Sequence, residues 1–470
     1  MLFSSFGFIF LFLPIFLIGF YCLPKQRLQL WFVFAASIFF YAYWSTTYVF
    51  LLLLVVLLNY FIASQIQKNQ SPLVRKLLVT VAVIANLSIL VFFKYYSFFV
   101  GSVSGLIDYK EGGGFLPIFK LMLPVGISFY TFQTMSFVID VYRKKIQGEV
   151  NLLEYSTYLT LFTHQLSGPL VRYGELVPQL ENKKNYIFNS ENFWKGICFF
   201  IFGLSKKILI ADRLGEVVDP LVTNLGSIST LESWFAMVGY SLQLYFDFSG
   251  YSDMAVGLGA MINLKLPQNF NSPYKALSLS EFWKRWHMTL SSWLRDYLYF
   301  PLGGSKGTKL LTLRNLFITM ALGGLWHGAN ATFLLWGAIH GLILVVERVF
   351  RSRGWVITGN RFLCWLYMFS VVCIVRVFFR APDVSSGFLW LKKVLLLEGE
   401  VSQSIFFIPS GSKDRFIAIL IISFLIAVFG KNTYQMKFVA KPLNAFFLAV
   451  LFIACLSFMG QKSPFLYFQF

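Results

Sequence analysis

Four histidines, at positions 164, 287, 327 and 340, are the side chains of this sequence best suited to acid–base chemistry. His327 is the strongest candidate, because it lies midway along residues 315–346, which carry no formal charge, and has glycines at 323, 324 and 328. An imidazole can take a proton from a hydroxyl and return it to a leaving group near neutral pH. Glycines let other groups approach the backbone closely, so a slender substrate arm could reach His327. The alternative is a histidine that only binds a carbonyl of a neighbouring helix.

His287 lies in a segment that combines tryptophans with basic residues. Ser278 and Glu281 have the spacing of a capping box, which predicts that a helix begins there. Aromatic and leucine residues then recur at steps of three and four on one face, whereas Lys284, His287, Ser291 and Arg295 share another. The pattern predicts one amphipathic helix over residues 278–297, lying at the membrane interface. Its basic stripe either meets lipid phosphates or lines a cytoplasmic entrance for an anionic donor, such as a phosphate-bearing thioester carrier.

The other two histidines have weaker claims to chemistry. His340 follows His327 by thirteen residues, about 220° around a regular helix, so the two would not share a face and His340 is expected to be structural. His164 precedes a break at Gly168 and Pro169. Arg172, just beyond that break, either binds an anionic group or extends to the interface as a snorkelling side chain.

Two carboxylates, Asp247 and Asp253, stand six residues apart around Ser249 and Gly250. We expect a turn at the Ser-Gly pair, with Ser252 or Asp253 capping the next helix. Paired-carboxylate catalysis is the weaker alternative, because a turn between the two residues defines no geometry.

These residues must be positioned by membrane-embedded elements. Of the 470 residues 57% are hydrophobic and 13% are charged, whereas soluble domains carry about 25% charged residues. Soluble and disordered classes are therefore excluded, and the chain is predicted to be an integral membrane protein. The five cysteines have no metal-ligand spacing, so neither a disulfide framework nor a metal site is expected.

Apolar runs predict an all-α protein with about ten to twelve membrane segments, since a span needs about 20 residues. The uncharged residues 1–24 are expected to form a retained first span, and residues 28–67 form two helices joined near Ser45. A short or re-entrant segment is predicted at 155–171, and a break at 323–330. The other predicted apolar segments are 77–93, 115–139, 193–210, 234–262, 362–375, 416–430 and 442–461.

The charges predict an orientation. Lys and Arg occupy the first, third and fifth loops, whereas the fourth carries Asp108, Lys110 and Glu111. The odd-numbered loops are then cytoplasmic and the N-terminus lies outside. The formal net charge is +19, and residues 275–314 hold seven Lys and Arg against Glu281 and Asp296. This local excess is expected to be a docking surface for a negatively charged donor, and nucleic acid is not needed to explain it.

Several runs resemble the bacterial membrane-bound O-acyltransferase (MBOAT) family, and most of all its alginate O-acetyltransferase subgroup. The resemblance is carried by LYFDFSGYSDMA at 244–255, EFWKRWH at 281–287, WLRDYLY at 293–299 and LGGLWHGAN at 322–330, and upstream by LPVGISFY at 123–130 and IDVYR at 139–143. It covers residues 1–350, followed by C-terminal spans over 360–470, and the whole chain is expected to form a single domain.

The resemblance implies a multi-span helical fold with short or re-entrant helices, a thinned centre and a central funnel. In that fold His327 matches the catalytic histidine and His287 the second motif position. The implied reaction moves an acyl group, expected to be acetyl, from a cytoplasmic thioester such as acetyl-CoA across a bacterial inner membrane, with no bound cofactor. The acceptor is an extracytoplasmic polysaccharide such as alginate, reached through a separate acetyltransferase-type partner protein. Candidate donor-binding residues are Lys284, Arg285, Arg295 and Arg172.

Three alternatives to alginate acetylation stay open. Peptidoglycan O-acetylation and teichoic-acid D-alanylation belong to the same family. A transporter without chemistry is the third, and it would be expected to show inverted repeats and paired broken helices.

Overall fold

The structure is a computed structural model that describes residues 1–96, 98–100, 122–166, 168–354, 359–396, 412–460 and 466. Within these ranges the chain forms helices and no strands. The helices are α1 (Phe8–Cys22), α2 (Gln26–Ala42), α3 (Thr46–Lys68), α4 (Pro72–Tyr95), α5 (Ile127–Tyr142), α6 (Leu152–Thr160), α7 (Phe162–Gln165), α8 (Tyr173–Glu181), α9 (Ser190–Ser205), α10 (Asp212–Thr223), α11 (Thr230–Met261), α12 (Leu279–Trp283), α13 (Met288–Leu294), α14 (Lys309–His327), α15 (Ala331–Ser352), α16 (Arg361–Arg380), α17 (Val384–Val394), α18 (Ser412–Val428) and α19 (Pro442–Phe458).

Four helices of the described part of the chain, α3, α4, α15 and α16, are long and apolar enough to cross a membrane. They have 20 to 24 residues and a mean hydropathy of 1.7 to 2.4, which suits a hydrocarbon core that needs about 20 residues per span. Two shorter apolar helices, α1 and α19, stand near the ends of the chain. The predicted all-helical membrane fold is thus confirmed.

The chain divides into two compact units. The first comprises residues 1–197 and 255–267, and the second comprises residues 198–254 and 268–470. Both candidate catalytic histidines, His287 and His327, belong to the second unit. That the whole chain folds as a single domain stays a prediction.

In the first unit the predicted breaks are present. Helix α2 ends at Ala42 and α3 begins at Thr46, which confirms the two-helix interpretation of residues 28–67. The amides of Asn59 and Asn86 bond to each other at 2.7 and 3.2 Å and join α3 to α4, as polar side chains do between membrane helices. The predicted short segment at 155–171 is also confirmed, because α6 ends at Thr160 and α7 has four residues.

The predicted fifth span, residues 115–139, is wrong at its start. Residues 115–121 and the fourth-loop charges at 108, 110 and 111 lie outside the described residues. Residues 122–124 are not helical, and α5 begins only at Ile127. Gly126 precedes it with a φ of +75°, a left-handed conformation that glycine adopts without a steric penalty.

In the second unit α14 ends at His327 and α15 begins at Ala331. The extended residues Gly328 and Asn330 separate the two helices, and the Asn330 side chain accepts the N–H of Thr332, a normal N-cap. The break predicted in the long apolar run is therefore confirmed, and it lies directly after the candidate catalytic histidine.

The predicted continuous helix over residues 278–297 is wrong. The capping contact exists, since Ser278 Oγ accepts the Glu281 N–H at 3.1 Å, but α12 ends at Trp283 and α13 begins at Met288. The intervening backbone bonds instead to a distant segment. The Arg285 carbonyl accepts the Asn271 N–H, and the Met288 N–H donates to the Asn269 carbonyl, both at 2.9 Å. These long-range bonds replace helical ones that the local pattern predicts.

The turn predicted at Ser249 and Gly250 is also wrong, because both residues lie inside the 32-residue helix α11. Gly250 serves a close approach to α9, since a Cβ there would lie 2.7 Å from the Gly203 carbonyl oxygen. The flanking carboxylates form ion pairs rather than caps. Asp253 pairs with Lys206, and Asp247 pairs with Lys207 at 2.7 Å.

Candidate active site

His327 is the last residue of α14, and its imidazole lies among aromatic rings. The ring centroids of Trp326, Trp336 and Phe379 lie 5.1, 5.4 and 5.1 Å from that of His327. The side chain is 6% exposed. Aromatic walls of this kind exclude water, so electrostatic interactions of the imidazole are stronger than in solution.

A cavity of about 550 Å³ reaches His327 from the surface of the second unit. Its buried end is formed by His327 and Trp336, whereas Lys284, Arg295, Arg348 and Arg351 line it with exposed side chains. The wall between them is formed by residues of α12 to α15, among them Trp283, Met288, Ser291, Thr319, Met320 and Gly323. The cavity thus joins exposed cations to one buried imidazole.

The short helix α12, which supplies Ser280 and Trp283 to the wall, is held in place by α15. The buried Glu347 carboxylate accepts the N–H groups of Leu279 and Ser280 at 2.9 and 3.1 Å. These are first-turn donors that have no partner within their own helix. The carboxylate therefore links the two helices at the cavity.

The three glycines around His327, at positions 323, 324 and 328, differ in what they contact. Only Gly323 lines the cavity. At Gly324 a Cβ would lie 2.4 Å from the Phe333 carbonyl oxygen, and at Gly328 it would lie 2.2 Å from the Phe333 ring. The expectation that these glycines admit a substrate arm is therefore wrong for two of the three, because α15 already fills that space.

His287 lies between α12 and α13 and is fully buried. Its backbone is left-handed, with φ at +44°, a conformation that non-glycine residues adopt only where the surroundings demand it. Its ring packs edge-on against Phe248 of α11 at 4.8 Å. Its Nδ1 lies 3.1 Å from Asn269 Oδ1.

The fold brings the two candidate catalytic histidines together, 40 residues apart in sequence. Their ring centroids are 6.4 Å apart. A ring nitrogen lies roughly 1.2 Å from its centroid, so nitrogens of the two rings cannot approach within about 4 Å, beyond hydrogen-bond range. The two rings are neighbours but too far apart to bond each other directly, and His287 does not line the cavity that reaches His327.

The four candidate donor-binding residues separate into different places. Lys284 and Arg295 line the cavity, and Arg295 also bonds to Asp296 at 2.7 Å. Arg285 does not line it and instead pairs with Glu281 at 2.8 Å. Arg172 belongs to the first unit, where its backbone N–H donates to the Glu175 carboxylate at 3.2 Å.

The pKa of the Glu281 carboxyl is affected by its pairing with Arg285. Burial by itself raises its pKa, but the Leu277 N–H and the Arg285 guanidinium outweigh this and hold the pKa below its ordinary value. Glu281 is therefore ionised at neutral pH and carries the negative charge that pairs with Arg285.

The remaining histidines lie in packed surroundings. The ring of His340 packs against Trp336 at 4.9 Å and Trp283 at 5.3 Å. His164, in the first unit, has its Nε2 at 3.0 Å from the Tyr158 carbonyl oxygen. Because the helix breaks at Gly328, the angular argument from His327 to His340 does not apply, although the expectation of a packed, structural His340 agrees with its contacts.

Several site residues escaped the sequence analysis. Arg348 and Arg351 end a helix whose preceding run is uncharged, a signal that could have identified them. Trp336 and Phe379 carry no such signal, because tryptophan and phenylalanine are frequent throughout the chain. Asn269 gives none either, since its importance depends on a contact with a residue 18 positions away.

Comparison with known proteins identifies the family of the chain. Residues 30–378 match the model of the MBOAT, membrane-bound O-acyltransferase family. The chain belongs to this family and is a membrane-bound acyltransferase, which confirms the resemblance and argues against a transporter without chemistry.

Two relatives span most of the chain, and a third spans half of it. A peptidoglycan O-acetyltransferase of Helicobacter pylori is 38% identical over 430 residues, which cover 85% of this chain and 80% of that protein. A protein of Azotobacter vinelandii named probable alginate O-acetylase is 42% identical over 388 residues, covering 82% and 76%. A teichoic acid D-alanyltransferase of Bacillus subtilis is 28% identical over 246 residues, covering 50% and 62%.

Proposed function

We propose that this acyltransferase moves an acetyl group from acetyl-CoA, on the cytoplasmic side, toward a hydroxyl of an extracytoplasmic polysaccharide such as alginate. The observation that carries the proposal is the cavity that leads from exposed cations to the buried imidazole of His327. The choice of acetyl is supported by the relatives at 38% and 42% identity, both named for O-acetyl groups.

The donor's chemistry fits the two ends of the cavity. Acetyl-CoA carries phosphates at one end and the thioester at the other. Arg295, Arg348 and Arg351 offer charge-assisted hydrogen bonds to phosphate, with Lys284 as a point charge, while the thioester extends toward His327. Arg285, whose guanidinium pairs with Glu281, and Arg172, which does not line this cavity, are the weaker candidates.

Of two cavities that contact His327, the one described above is large enough to admit a substrate. A second cavity of about 10 Å³ also contacts His327 and Trp336 and is lined by Phe248, Arg376 and Phe379. That volume holds about one water molecule, so donor and acceptor are proposed to meet at His327 in the larger cavity.

The mechanism assigned to His327 is general acid–base catalysis. Its imidazole removes the proton of the acceptor hydroxyl while the oxygen attacks the thioester carbonyl carbon. A C–O bond forms, the C–S bond breaks, and the leaving thiolate takes the proton from the imidazolium. His287 orients a substrate beside it.

The location follows from the charge pattern. Lys and Arg collect in the first, third and fifth loops, which the positive-inside rule assigns to the cytoplasm, so the N-terminus is extracytoplasmic. A cytoplasmic acetyl-CoA donor requires a membrane that borders the cytoplasm, which is the bacterial inner membrane. Since the acceptor lies outside, a separate acetyltransferase-type protein is proposed to carry the acetyl group onward to the polysaccharide.

The test is transfer of radiolabelled acetyl from acetyl-CoA by the purified protein in vesicles, with the candidate partner and polysaccharide added. His327→Ala should lower the rate by about 10²- to 10⁴-fold, the usual contribution of a general base, while the protein still accumulates in the membrane. His340→Phe, which keeps the ring packing, is the matched control and should retain activity. Undiminished transfer by His327→Ala would refute the assignment.

Peptidoglycan O-acetylation is the second candidate, favoured by the 38% identity to the Helicobacter pylori protein over 85% of this chain. Mass spectrometry of exopolysaccharide and of peptidoglycan fragments from a deletion strain separates the two, because only one should lose acetyl groups. D-alanylation, with a carrier-protein thioester, has weaker support, since that relative matches half of the chain at 28% identity.

A further inference from the structure

Asn269, which no motif of the sequence singled out, lies buried against the second active-site histidine. Its side-chain oxygen is 3.1 Å from His287 Nδ1, 2.9 Å from Thr289 Oγ1 and 3.3 Å from the Thr289 N–H. Its amide nitrogen donates to Ser252 Oγ at 3.2 Å. The Asn269, His287 and Ser252 side chains are all at most 3% exposed.

The backbone decides which way the Asn269 amide points. The Thr289 N–H is a main-chain donor and can bond only to an acceptor. The atom facing it must therefore be Oδ1, because the reverse orientation would set the amide NH₂ against another N–H. The same Oδ1 faces His287.

This orientation determines the proton of His287. Oδ1 carries no hydrogen, so the bond to His287 exists only when Nδ1 is the protonated ring nitrogen. A neutral imidazole carries a single ring proton, and Nε2 then holds the lone pair.

We propose that Asn269 is a positioning residue that holds His287 as the Nδ1–H tautomer, so that any hydrogen bond that neutral His287 forms through Nε2 is one that it accepts. The role in catalysis rests on the acyl transfer proposed above. Of the two substrates, an alcohol has a hydrogen to give to that lone pair and a thioester carbonyl has none. Since the reacting hydroxyl gives its one hydrogen to His327, His287 can accept only from a second hydroxyl of the acceptor, and polarising the thioester carbonyl would need the tautomer that Asn269 excludes.

The backbone of both residues is secured independently of the side-chain bond. The Asn269 carbonyl accepts the Met288 N–H at 2.9 Å, and the Asn271 N–H donates to the Arg285 carbonyl at the same distance. Asn269 and His287 are thus carried by two segments that bond to each other on either side of the contact. A substitution of the Asn269 side chain should leave this pairing in place.

The tautomer can be measured without any substrate. The chain has four histidines, so nitrogen NMR of the full-length protein with isotopically labelled histidine, in detergent micelles, gives few signals, and a His287→Gln variant assigns the one of interest. We expect a neutral imidazole protonated at Nδ1 in the wild type and loss of that preference in Asn269→Leu. A wild-type His287 protonated at Nε2, or an Asn269→Leu spectrum identical to the wild type, would overturn the proposal.

Kinetics supply the second readout. Asn269→Leu should lower kcat for acetyl transfer by about tenfold or more, the factor for one lost hydrogen bond, with little change in KM for the donor. Asn269→Asp keeps the acceptor and adds a charge that favours protonated His287, so it should retain the tautomer and move the acidic limb of the pH–rate profile to higher pH.

The matched control is Asn432→Leu. Asn432 is also a buried asparagine of the second unit with several hydrogen bonds, so its loss should affect stability without moving the pH profile. If the pH–rate profiles of Asn269→Asp and Asn432→Leu are the same as each other, the added charge at position 269 does not affect the protonation of His287. The positioning role of Asn269 is then refuted. The NMR spectrum is recorded without acetyl transfer. If the proposed function is wrong, the spectrum still shows Nδ1 protonation, whereas if the proposed tautomer is wrong, the spectrum shows Nε2 protonation.

Discussion

The contact between α14 and α15 predicts a large effect from one methyl group. Gly324 precedes His327 by one helical turn and faces Gly337 of α15. A Cβ at position 324 would lie 2.4 Å from the Phe333 carbonyl oxygen and 2.8 Å from the Gly337 Cα. Both are backbone atoms, which cannot rotate away. Gly324→Ala must therefore push the two helices apart.

The size of the displacement follows from these distances. Ordinary van der Waals contact begins at 3.4 Å, so the Phe333 oxygen has to retreat by about 1 Å. His327 ends the same helix and moves with it, relative to Trp336 and the cavity wall on α15. A misplacement of about 1 Å at a catalytic group can cost about 100-fold in rate, or about 2.7 kcal/mol of activation free energy. The added strain should also cost about 1–3 kcal/mol of stability.

The assay is kcat for acetyl transfer in vesicles, together with thermal unfolding in detergent. The matched control is Gly341→Ala in the same helix pair, where the nearest atoms are at 3.2 Å and a shift of a few tenths of an ångström suffices. Its kcat should stay close to that of the wild type. A folded Gly324→Ala protein with the wild-type kcat would refute the view that this close contact positions His327.

Two further predictions concern charge. Arg351→Gln should raise KM for acetyl-CoA about fivefold at unchanged kcat, the factor for about 1 kcal/mol of an exposed ion pair, and the effect should shrink at high salt. Steady-state kinetics checks this against Arg353→Gln, which does not line the cavity, and equal KM values in both variants would contradict a donor site at Arg351. Lys207→Met should lower the free energy of unfolding by about 3–5 kcal/mol, because it leaves the buried Asp247 carboxylate without its cation. Thermal unfolding measures the loss, and adding Asp247→Asn should recover part of it; a single variant as stable as the wild type would show that this ion pair contributes nothing.

The sequence predicts the structural features that depend on residues close together along the chain, namely the membrane helices and their ends. Long apolar runs predict membrane helices because each span must satisfy its own backbone within about 20 residues. The polar residues near Ser45 and the glycines before Asn330 identify helix ends for the same local reason. His327 is recognisable because a polar imidazole within the apolar residues 315–346 is energetically unfavourable in a membrane, and such residues usually have a function.

Long-range contacts explain the errors. The segment at 278–297 has a regular helical pattern, yet its backbone bonds to residues 269–271, which no periodicity can reveal. Gly250 looks like a turn residue because a glycine suits a turn and a close helix contact equally well, and only the position of Gly203 distinguishes the two.

By itself, then, the sequence determines an all-helical membrane acyltransferase with a histidine at a helix break and an excess of cations nearby. Tertiary structure alone decides that His287 lies 6.4 Å from His327, that Asn269 sets the protonation of His287, and that Trp336 and Phe379 pack against the His327 ring. The physical reason is that hydropathy and capping act within a few residues along the chain. The geometry of the site is set by close packing and hydrogen bonds between segments that are remote in sequence.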